Sequence, residues 1–152
     1  MSAGRGARVG LLADTHDRLP AVVELLRRFR EAGCTHVLHA GDYCAPFALA
    51  PFREAGLPLL GVFGRNDGDR EGLRSAAEAL PAGGALYDAP HACELHGVPL
   101  LLVHEPADAS ARSLDGYAVV VHGCSHRGDV REPTAAGRPL VVNPGEACGW
   151  VH

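Results

Sequence analysis

The stretch ARVGLLADTH, residues 7–16, is a short apolar run that ends in polar side chains. Apolar runs of this length are typical of strands that are buried on both faces. Pro20 in a first-turn position and Gly33 as a terminator then predict a helix over residues 20–32. A buried strand followed at once by a helix is the unit from which α/β folds are built.

The rest of the chain continues this alternation and then becomes rich in strands. Apolar runs predict strands over residues 35–40 and 57–63, and helices are predicted over residues 46–55 and from Asp69 to Leu80. In the second half, Gly, Pro and Asp turns separate four strand candidates at residues 91–97, 98–103, 117–123 and 138–143. We therefore expect an α/β fold of two packed β-sheets flanked by helices.

The composition is that of an ordinary globular chain. With 152 residues, 47% of them hydrophobic and 21% charged, the chain can bury one core, and we expect a single domain over residues 1–152. No apolar run approaches the roughly 20 residues that a transmembrane helix needs, so no membrane partner is expected. The net charge of −4 without a basic stripe argues against a dedicated nucleic-acid surface.

Two further features concern the cellular compartment. Residues 1–8 lead into the first strand without the apolar segment of a signal peptide. The five cysteines are an odd number without a C-x-x-C spacing, which fits reduced thiols better than a disulfide framework. We therefore expect a cytoplasmic protein.

Several polar residues share one placement, immediately after an apolar strand. They are Asp14, His16, Asp42, Asn66, Asp67, His104 and His126. Because open α/β sheets bind ligands beyond the carboxyl ends of their strands, these side chains should converge on one rim. Carboxylates and imidazoles together suit manganese, iron, nickel or zinc, and such an ion can activate water and polarise a phosphoryl oxygen. The sequence therefore predicts a divalent metal site.

The order of these residues resembles that of a known family. The chain carries D-x-H at residues 14–16, GD at 41–42, a stretch like G-N-x-D at 64–67, the isolated His104, a stretch like G-H-x-H at 123–126, and NPG at 143–145. This set is similar to that of the small calcineurin-like metallophosphoesterases, the YfcE-like phosphodiesterases of bacteria and archaea. The resemblance implies a metallophosphoesterase-like β-sandwich and a two-metal phosphoesterase.

The resemblance also implies a ligand set for each ion. In such families, one ion is held by the D-x-H pair, the GD aspartate and the last histidine of G-H-x-H, which carry over onto Asp14, His16, Asp42 and His126. The second ion shares the GD aspartate and adds the isolated histidine, His104, with the asparagine of G-N-x-D and the first histidine of G-H-x-H. Here Arg65 stands in place of that asparagine, and Cys124 stands in place of that histidine. The first site is intact, and its neighbour is altered.

Three outcomes are open for the second site, because arginine stays protonated and cannot ligate a metal. In the first, Arg65 turns away, Asn66 becomes a ligand and the Cys124 thiolate completes a softer site that favours zinc. In the second, Arg65 replaces the second ion, and its guanidinium binds phosphate through two hydrogen bonds. In the third, the site binds metal or phosphate without turnover.

The other polar residues near these motifs have simpler interpretations. His39 and His122 lie inside strand runs and are predicted to be core histidines. Asp67 and Asp69 are predicted to organise a turn, and Asn143 belongs to the NPG turn.

The end of the chain differs from the family pattern. Family members usually continue past NPG with further strands, whereas this chain stops at His152. A sandwich shortened in this way would leave a sheet edge exposed, and exposed edges favour pairing with another chain. We therefore expect a homodimer.

The function expected from these features is metal-dependent hydrolysis of a phosphodiester or phosphomonoester through metal-activated water. The ion would be Mn, Ni, Fe or Zn, and the substrate a small phosphoester, with nucleotides among the candidates. Arg65, Asn66 and His104 are the expected phosphate-binding or catalytic residues. The alternative is a noncatalytic metal-binding or scaffold protein that retains the fold, as in the retromer subunit of this fold.

Overall fold

Nine strands form two β-sheets in the computed structural model, which describes residues 6–152. They are β1 (Arg8–Leu12), β2 (Cys34–His39), β3 (Leu59–Val62), β4 (Gly84–Tyr87), β5 (His91–Leu95), β6 (Val98–Leu102), β7 (Val119–Val121), β8 (Asp129–Arg131) and β9 (Leu140–Asn143). The first sheet has the order β1-β2-β3-β4 and is parallel throughout. The second has the order β5-β6-β7-β9-β8 and mixes parallel with antiparallel pairs. The predicted α/β fold with two sheets is confirmed.

Helices link strands in both sheets. The helices are α1 (Leu19–Glu31), α2 (Phe52–Ala55), α3 (Arg70–Glu78) and α4 (Pro106–Ser110), with a 3-10 helix at Pro46–Leu49. The first three link strands of the first sheet, and α4 lies between β6 and β7 of the second. Gly33 follows α1 with a φ of 75°, a left-handed conformation that glycine adopts without steric cost. Asp69 caps α3 by accepting a hydrogen bond from the Gly72 N–H, at the start of the helix predicted from Asp69 to Leu80.

The single helix predicted over residues 46–55 is wrong. Pro51 separates the 3-10 helix from α2, because proline has no N–H with which to continue the hydrogen bonding of a helix. The sequence analysis also missed β4 and β8. These strands are four and three residues long and partly exposed, so they present no apolar run of the usual length.

Apolar side chains from both sheets fill the space between them. They are Ala13, Leu38, Ala40, Val62, Leu100, Leu102 and Val121. A larger cluster lies between the first sheet and its helices and includes Val22, Leu26, Phe52 and Leu73. A third cluster contains Val103 and, from α4, Ala109. Because Ala13 and Val103 directly precede Asp14 and His104, the packed core fixes the points from which these polar side chains project.

The segment after β9 runs back beside the loop that follows β1. The Ala147 N–H donates to the Ala13 carbonyl at 2.9 Å, and the Cys148 N–H donates to the Asp14 carbonyl at 3.2 Å. Residues 144–152 form no strand. These contacts bring the last described residues to the same rim as Asp14. Within residues 6–152, no helix has both the length and the apolar character that a bilayer span requires.

Candidate metal centre

Loops at the ends of three strands bring four predicted ligands together. Asp14 and His16 follow β1, Asp42 follows β2, and His126 follows β7. One ligand atom from each residue lies within 4.8 Å of those of the other three. The structure therefore places the whole predicted first site at one rim of the sandwich, where it forms a candidate metal-binding cluster.

The backbone at this cluster is left-handed at non-glycine residues. The φ angle is 52° at Asp14, 41° at His16, 64° at Asp42 and 63° at His126. Such conformations are uncommon outside glycine, and they persist where the surrounding structure holds them. Here the Asp14 N–H donates to the Gly41 carbonyl at 3.0 Å, and the His16 N–H donates to the Asp42 carbonyl at 3.1 Å. The two loops hold each other in the conformation that directs their side chains together.

Three buried polar atoms at this rim have no hydrogen-bond partner among residues 6–152. They are Asp14 Oδ1, His16 Nε2 and His104 Nε2. Leaving such an atom unpaired costs roughly 1–3 kcal/mol, so their convergence indicates a missing ligand. His16 Nε2 lies 3.9 Å from Asp14 Oδ1 and 3.5 Å from Asp42 Oδ2. Carboxylate oxygens and imidazole nitrogens at these distances fit a divalent cation such as manganese, iron, nickel or zinc.

The three histidines of the rim are each oriented through Nδ1. His104 Nδ1 donates to the Ala40 carbonyl at 2.8 Å, and His126 Nδ1 contacts Glu146 Oε2 at 2.7 Å. His16 Nδ1 lies 3.3 Å from Cys44 Sγ. A carbonyl can only accept, so Nδ1 of His104 carries a proton and leaves Nε2 free for a ligand when the ring is neutral. This is the arrangement that typically orients metal-binding histidines.

The carboxylates of the rim affect one another and their histidines. Burial raises the pKa of Asp14, against the opposing attraction of His104 and His126. Burial also opposes ionisation of Asp42, but the facing His104 imidazole and the hydrogen bonds from Asn66 outweigh it and lower the pKa of Asp42. Although burial disfavours the charged imidazole, the Asp42 carboxylate and the Ala40 carbonyl raise the pKa of His104. The rim thus attracts positive charge.

Asp42 lies between two halves of the site. Its Oδ2 faces His16 Nε2, and its Oδ1 lies 3.5 Å from His104 Nε2. His104 and His16 therefore face different oxygens of the Asp42 carboxylate.

The two residues that depart from the family pattern meet at this second position. Arg65 Nη2 donates to Cys124 Sγ at 2.9 Å, and Arg65 Nε lies 3.1 Å from Glu105 Oε1. The Arg65 side chain is 67% exposed, so the guanidinium stands at the mouth of the site. Burial raises the pKa of Cys124, although Arg65 acts in the opposite direction, and the thiol is therefore protonated at neutral pH.

Asn66 binds the Asp42 carboxylate of the rim, and Asp67 holds the loops beneath it. Asn66 donates from its backbone N–H to Asp42 Oδ1 at 2.9 Å and from Nδ2 to Asp42 Oδ2 at 2.8 Å. Asp67 is buried and accepts from the backbone N–H groups of Asp42, Cys44 and Gly64 at 3.0, 2.8 and 2.7 Å. Asp67 therefore ties the loops after β2 and β3 together, in agreement with the turn role predicted for it.

The remaining predicted residues lie beneath the rim. His39 is buried and bonded to Thr15 Oγ1 and the Gly41 N–H, both at 3.1 Å, and His122 is also buried. Both are core histidines, as predicted. Asn143 donates from Nδ2 to the Gly123 carbonyl at 3.1 Å and to Ser125 Oγ at 2.8 Å, and so holds the loop that carries His126.

The sequence analysis missed Glu146, which contacts His126 directly. Its side chain is 3% exposed. Although burial opposes ionisation, hydrogen bonds from His152, His126 and Val151 lower the pKa of Glu146 to about 2. In the sequence, the sign of this role is that a carboxylate directly follows the NPG turn. This turn comes at the end of β9, which pairs with β7, and β7 precedes the G-x-x-H stretch.

Comparisons with known proteins extend over most of the chain. Residues 8–152 match the family described as Calcineurin-like phosphoesterase superfamily domain. The chain is also similar to Phosphodiesterase MJ0936 of Methanocaldococcus jannaschii. The two are 26% identical over 147 residues, which cover 95% of this chain and 86% of that protein.

Solved structures give the same fold. An archaeal phosphodiesterase superposes with a TM-score of 0.84 at 26% identity, covering 94% of this chain and 86% of that one. YfcE, a phosphoesterase from E. coli, superposes with a TM-score of 0.70 at 18% identity, covering 91% of this chain and 79% of that one. Vacuolar Protein Sorting 29 from Cryptosporidium parvum superposes with a TM-score of 0.64 at 21% identity, covering 93% of this chain and 75% of that one. At these lower identities, the last two comparisons show the fold alone.

Proposed function

This chain belongs to the calcineurin-like phosphoesterase superfamily, and we propose that it hydrolyses a small phosphodiester or phosphomonoester with one resident divalent ion. The proposed ligands are Asp14, His16, Asp42 and His126. Their donor set is suited to Mn, Fe, Ni or Zn.

One observation carries the proposal, namely the convergence of unpaired buried ligand atoms. Asp14 Oδ1 and His16 Nε2 are buried and lie 3.9 Å apart, which is beyond hydrogen-bonding distance, so neither atom satisfies the other. His126 Nε2 is 3.7 Å from the same Asp14 oxygen. A cation among these atoms would satisfy all of them at once. When bound, such an ion polarises a phosphoryl oxygen and lowers the pKa of a coordinated water.

His104 is proposed to hold a proton for the phosphoryl group. Its Nδ1 is anchored on the Ala40 carbonyl, and its unpaired Nε2 faces the site. Because Nδ1 is held as a donor, a proton on Nε2 makes the ring an imidazolium, which donates from Nε2 to a phosphoryl oxygen and stabilises the charge that develops there.

Arg65 is proposed to stand in for the second ion. Its contacts with Glu105 and Cys124 use Nε and Nη2, and among residues 6–152 Nη1 has no partner, so its two N–H groups can donate to phosphoryl oxygens. Because Asn66 already binds both oxygens of Asp42, we assign it to positioning that carboxylate. This is the second of the three outcomes open from the sequence.

A noncatalytic metal-binding role is the second candidate function. The replacement of two expected ligands by Arg65 and Cys124 favours it, since a second ion contributes directly to catalysis in two-metal sites. Measured turnover of a phosphoester distinguishes the enzyme from this noncatalytic role.

The experiment is a metal-dependent assay on two model substrates. Protein stripped with a chelator is loaded separately with Mn, Ni, Fe or Zn and tested on bis-p-nitrophenyl phosphate and p-nitrophenyl phosphate. We expect turnover that needs metal and is lost in His126→Ala. His96→Ala is the matched control, because His96 is exposed and has a similar left-handed φ, 51° against 63°. An ion that binds without turnover of either substrate would support the noncatalytic role instead.

A further inference from the structure

Trp150 is the single tryptophan of the chain and lies beside the candidate metal centre. Its ring centroid is 6.3 Å from that of His16, with an angle of 31° between the rings. The residue is nevertheless 64% exposed. A large aromatic face therefore stands open to solvent next to a proposed metal ligand.

The segment that carries Trp150 is fixed to the site. Glu146 Oε1 accepts hydrogen bonds from the backbone N–H groups of Val151, at 2.8 Å, and His152, while its Oε2 contacts His126 Nδ1. On the other side of Trp150, the Arg18 guanidinium donates to the Cys148 carbonyl. The carboxylate that orients His126 thus also holds the backbone around Trp150.

The two sides of the rim offer different surfaces to a substrate. Next to His104 lies a cavity of about 230 Å³ whose lining includes the charged side chains of Arg70, Asp88, Glu105 and Asp108 and the buried Phe63, which presents little open aromatic surface. Next to His16 lies the open face of Trp150. A planar aromatic group attached to a phosphate bound at the centre would find its complementary surface on the Trp150 side.

We propose that Trp150 is a stacking platform for the leaving group of the substrate, and that the preferred phosphoesters carry a nucleobase. This inference rests on the proposed function, since the phosphate must bind at the centre. Every base presents a π-face, and stacking on an exposed aromatic side chain needs no base-specific hydrogen bond. The expected substrates are therefore nucleotides, without discrimination among bases by Trp150.

The test uses the fluorescence of this single tryptophan. Zinc-loaded protein, freed of excess metal, is titrated with AMP, with ribose 5-phosphate and with adenosine. We expect saturable quenching by AMP, binding of AMP about tenfold tighter than that of ribose 5-phosphate, and only weak quenching by adenosine. Phenyl phosphate has a smaller ring, so its affinity is expected to exceed that of ribose 5-phosphate by less than the affinity of AMP does.

All variants are compared by calorimetry, because the two Trp150 variants lack the fluorophore. Trp150→Ala should weaken AMP binding about tenfold and leave ribose 5-phosphate binding unchanged. Trp150→Phe should retain most of the preference for AMP over ribose 5-phosphate. Val151→Ala is the control, since the neighbouring Val151 is similarly exposed, at 65%.

Several results would overturn the inference while leaving the proposed function intact. These are equal binding of AMP and ribose 5-phosphate without quenching, a gain for phenyl phosphate as large as that for AMP, or an unchanged AMP affinity in Trp150→Ala. Quenching by adenosine as strong as by AMP would also overturn it, because the stacking would then be independent of the phosphate. If neither phosphate binds to the metal-loaded protein, the proposed function itself fails.

Discussion

The Arg65 guanidinium donates a hydrogen bond to the Cys124 sulfur at 2.9 Å, across 59 positions of sequence. Each of these residues stands where the family pattern has a ligand of the second ion. Their contact brings the two departures together, and under the proposed function the guanidinium stands in for the second ion with a neutral thiol beside it. Asp42 and His104 keep their places next to it.

Restoring both ligands should restore the second ion. We expect Arg65→Asn combined with Cys124→His to raise the metal content from one ion per chain to two, because the fixed guanidinium charge is removed and two neutral donors are added. Each single variant should keep a metal content near one ion per chain. Elemental analysis after loading with manganese or zinc measures this, and a count that stays at one in the double variant would contradict the assignment of the second position.

Arg65 should contribute to phosphoester binding in the native protein. Hydrogen bonds from a charged donor are worth about 1.5–3 kcal/mol, so Arg65→Ala is expected to raise KM for bis-p-nitrophenyl phosphate by about 10- to 100-fold. Arg53→Ala, an exposed arginine of α2, is the control. A KM that is the same in both variants would remove Arg65 from the phosphate site.

Glu146 should control metal affinity through His126. Removing a carboxylate that orients a metal-bound histidine typically weakens metal binding 10- to 100-fold, and we expect a loss of about that size in Glu146→Ala. Glu132→Ala, at an exposed position, should bind as tightly as the native chain. Zinc titration with a competing chelator gives both affinities. Equal affinities would mean that His126 needs no orientation by Glu146.

The convergence of Asp14, His16 and Asp42 could be predicted from the sequence because of where these residues stand. Asp14, His16 and Asp42 directly follow buried strands of one parallel sheet, and the carboxyl ends of such strands meet at one rim. Glu146 and Trp150 could not be predicted in this way. They lie after β9 on an irregular segment whose path depends on individual hydrogen bonds and follows no apolar periodicity. The contact between Arg65 and Cys124 likewise depends on side-chain direction.

Asp67 should stabilise the fold from below the site. Asp67→Asn replaces one acceptor oxygen by an amide that cannot accept, so at least one buried backbone N–H loses its partner. We expect the free energy of unfolding in urea to fall by about 2 kcal/mol. The Asp69→Asn substitution should change the free energy of unfolding little, since asparagine caps helices as well as aspartate does. A loss of equal size in both variants would contradict this distinction.

His39 should make the protein less stable in mild acid. Burial lowers the pKa of its imidazole to about 3, whereas in the unfolded chain the ring titrates near about 6.5. Between these values the unfolded state binds a proton that the folded state does not. The free energy of unfolding therefore falls as pH decreases from about 6.5 toward 3, by up to about 1.4 kcal/mol per pH unit from this residue.

The slope with pH, measured in metal-free protein, tests this role separately from overall stability. His39→Gln is expected to lower stability near neutral pH but to make the slope between pH 6 and pH 4 shallower by up to one proton's contribution. His96→Gln, at an exposed position, should keep the native slope. An unchanged slope in His39→Gln would mean that other groups bind the proton.

The most direct test of the central claim is the metal content of the loaded protein after excess ion is removed by gel filtration. The proposed site predicts one tightly held divalent ion per chain in the native protein and in His96→Ala, and none in His126→Ala. A native chain that retains no ion, or an undiminished content in His126→Ala, would contradict the assignment of Asp14, His16, Asp42 and His126 as a metal centre.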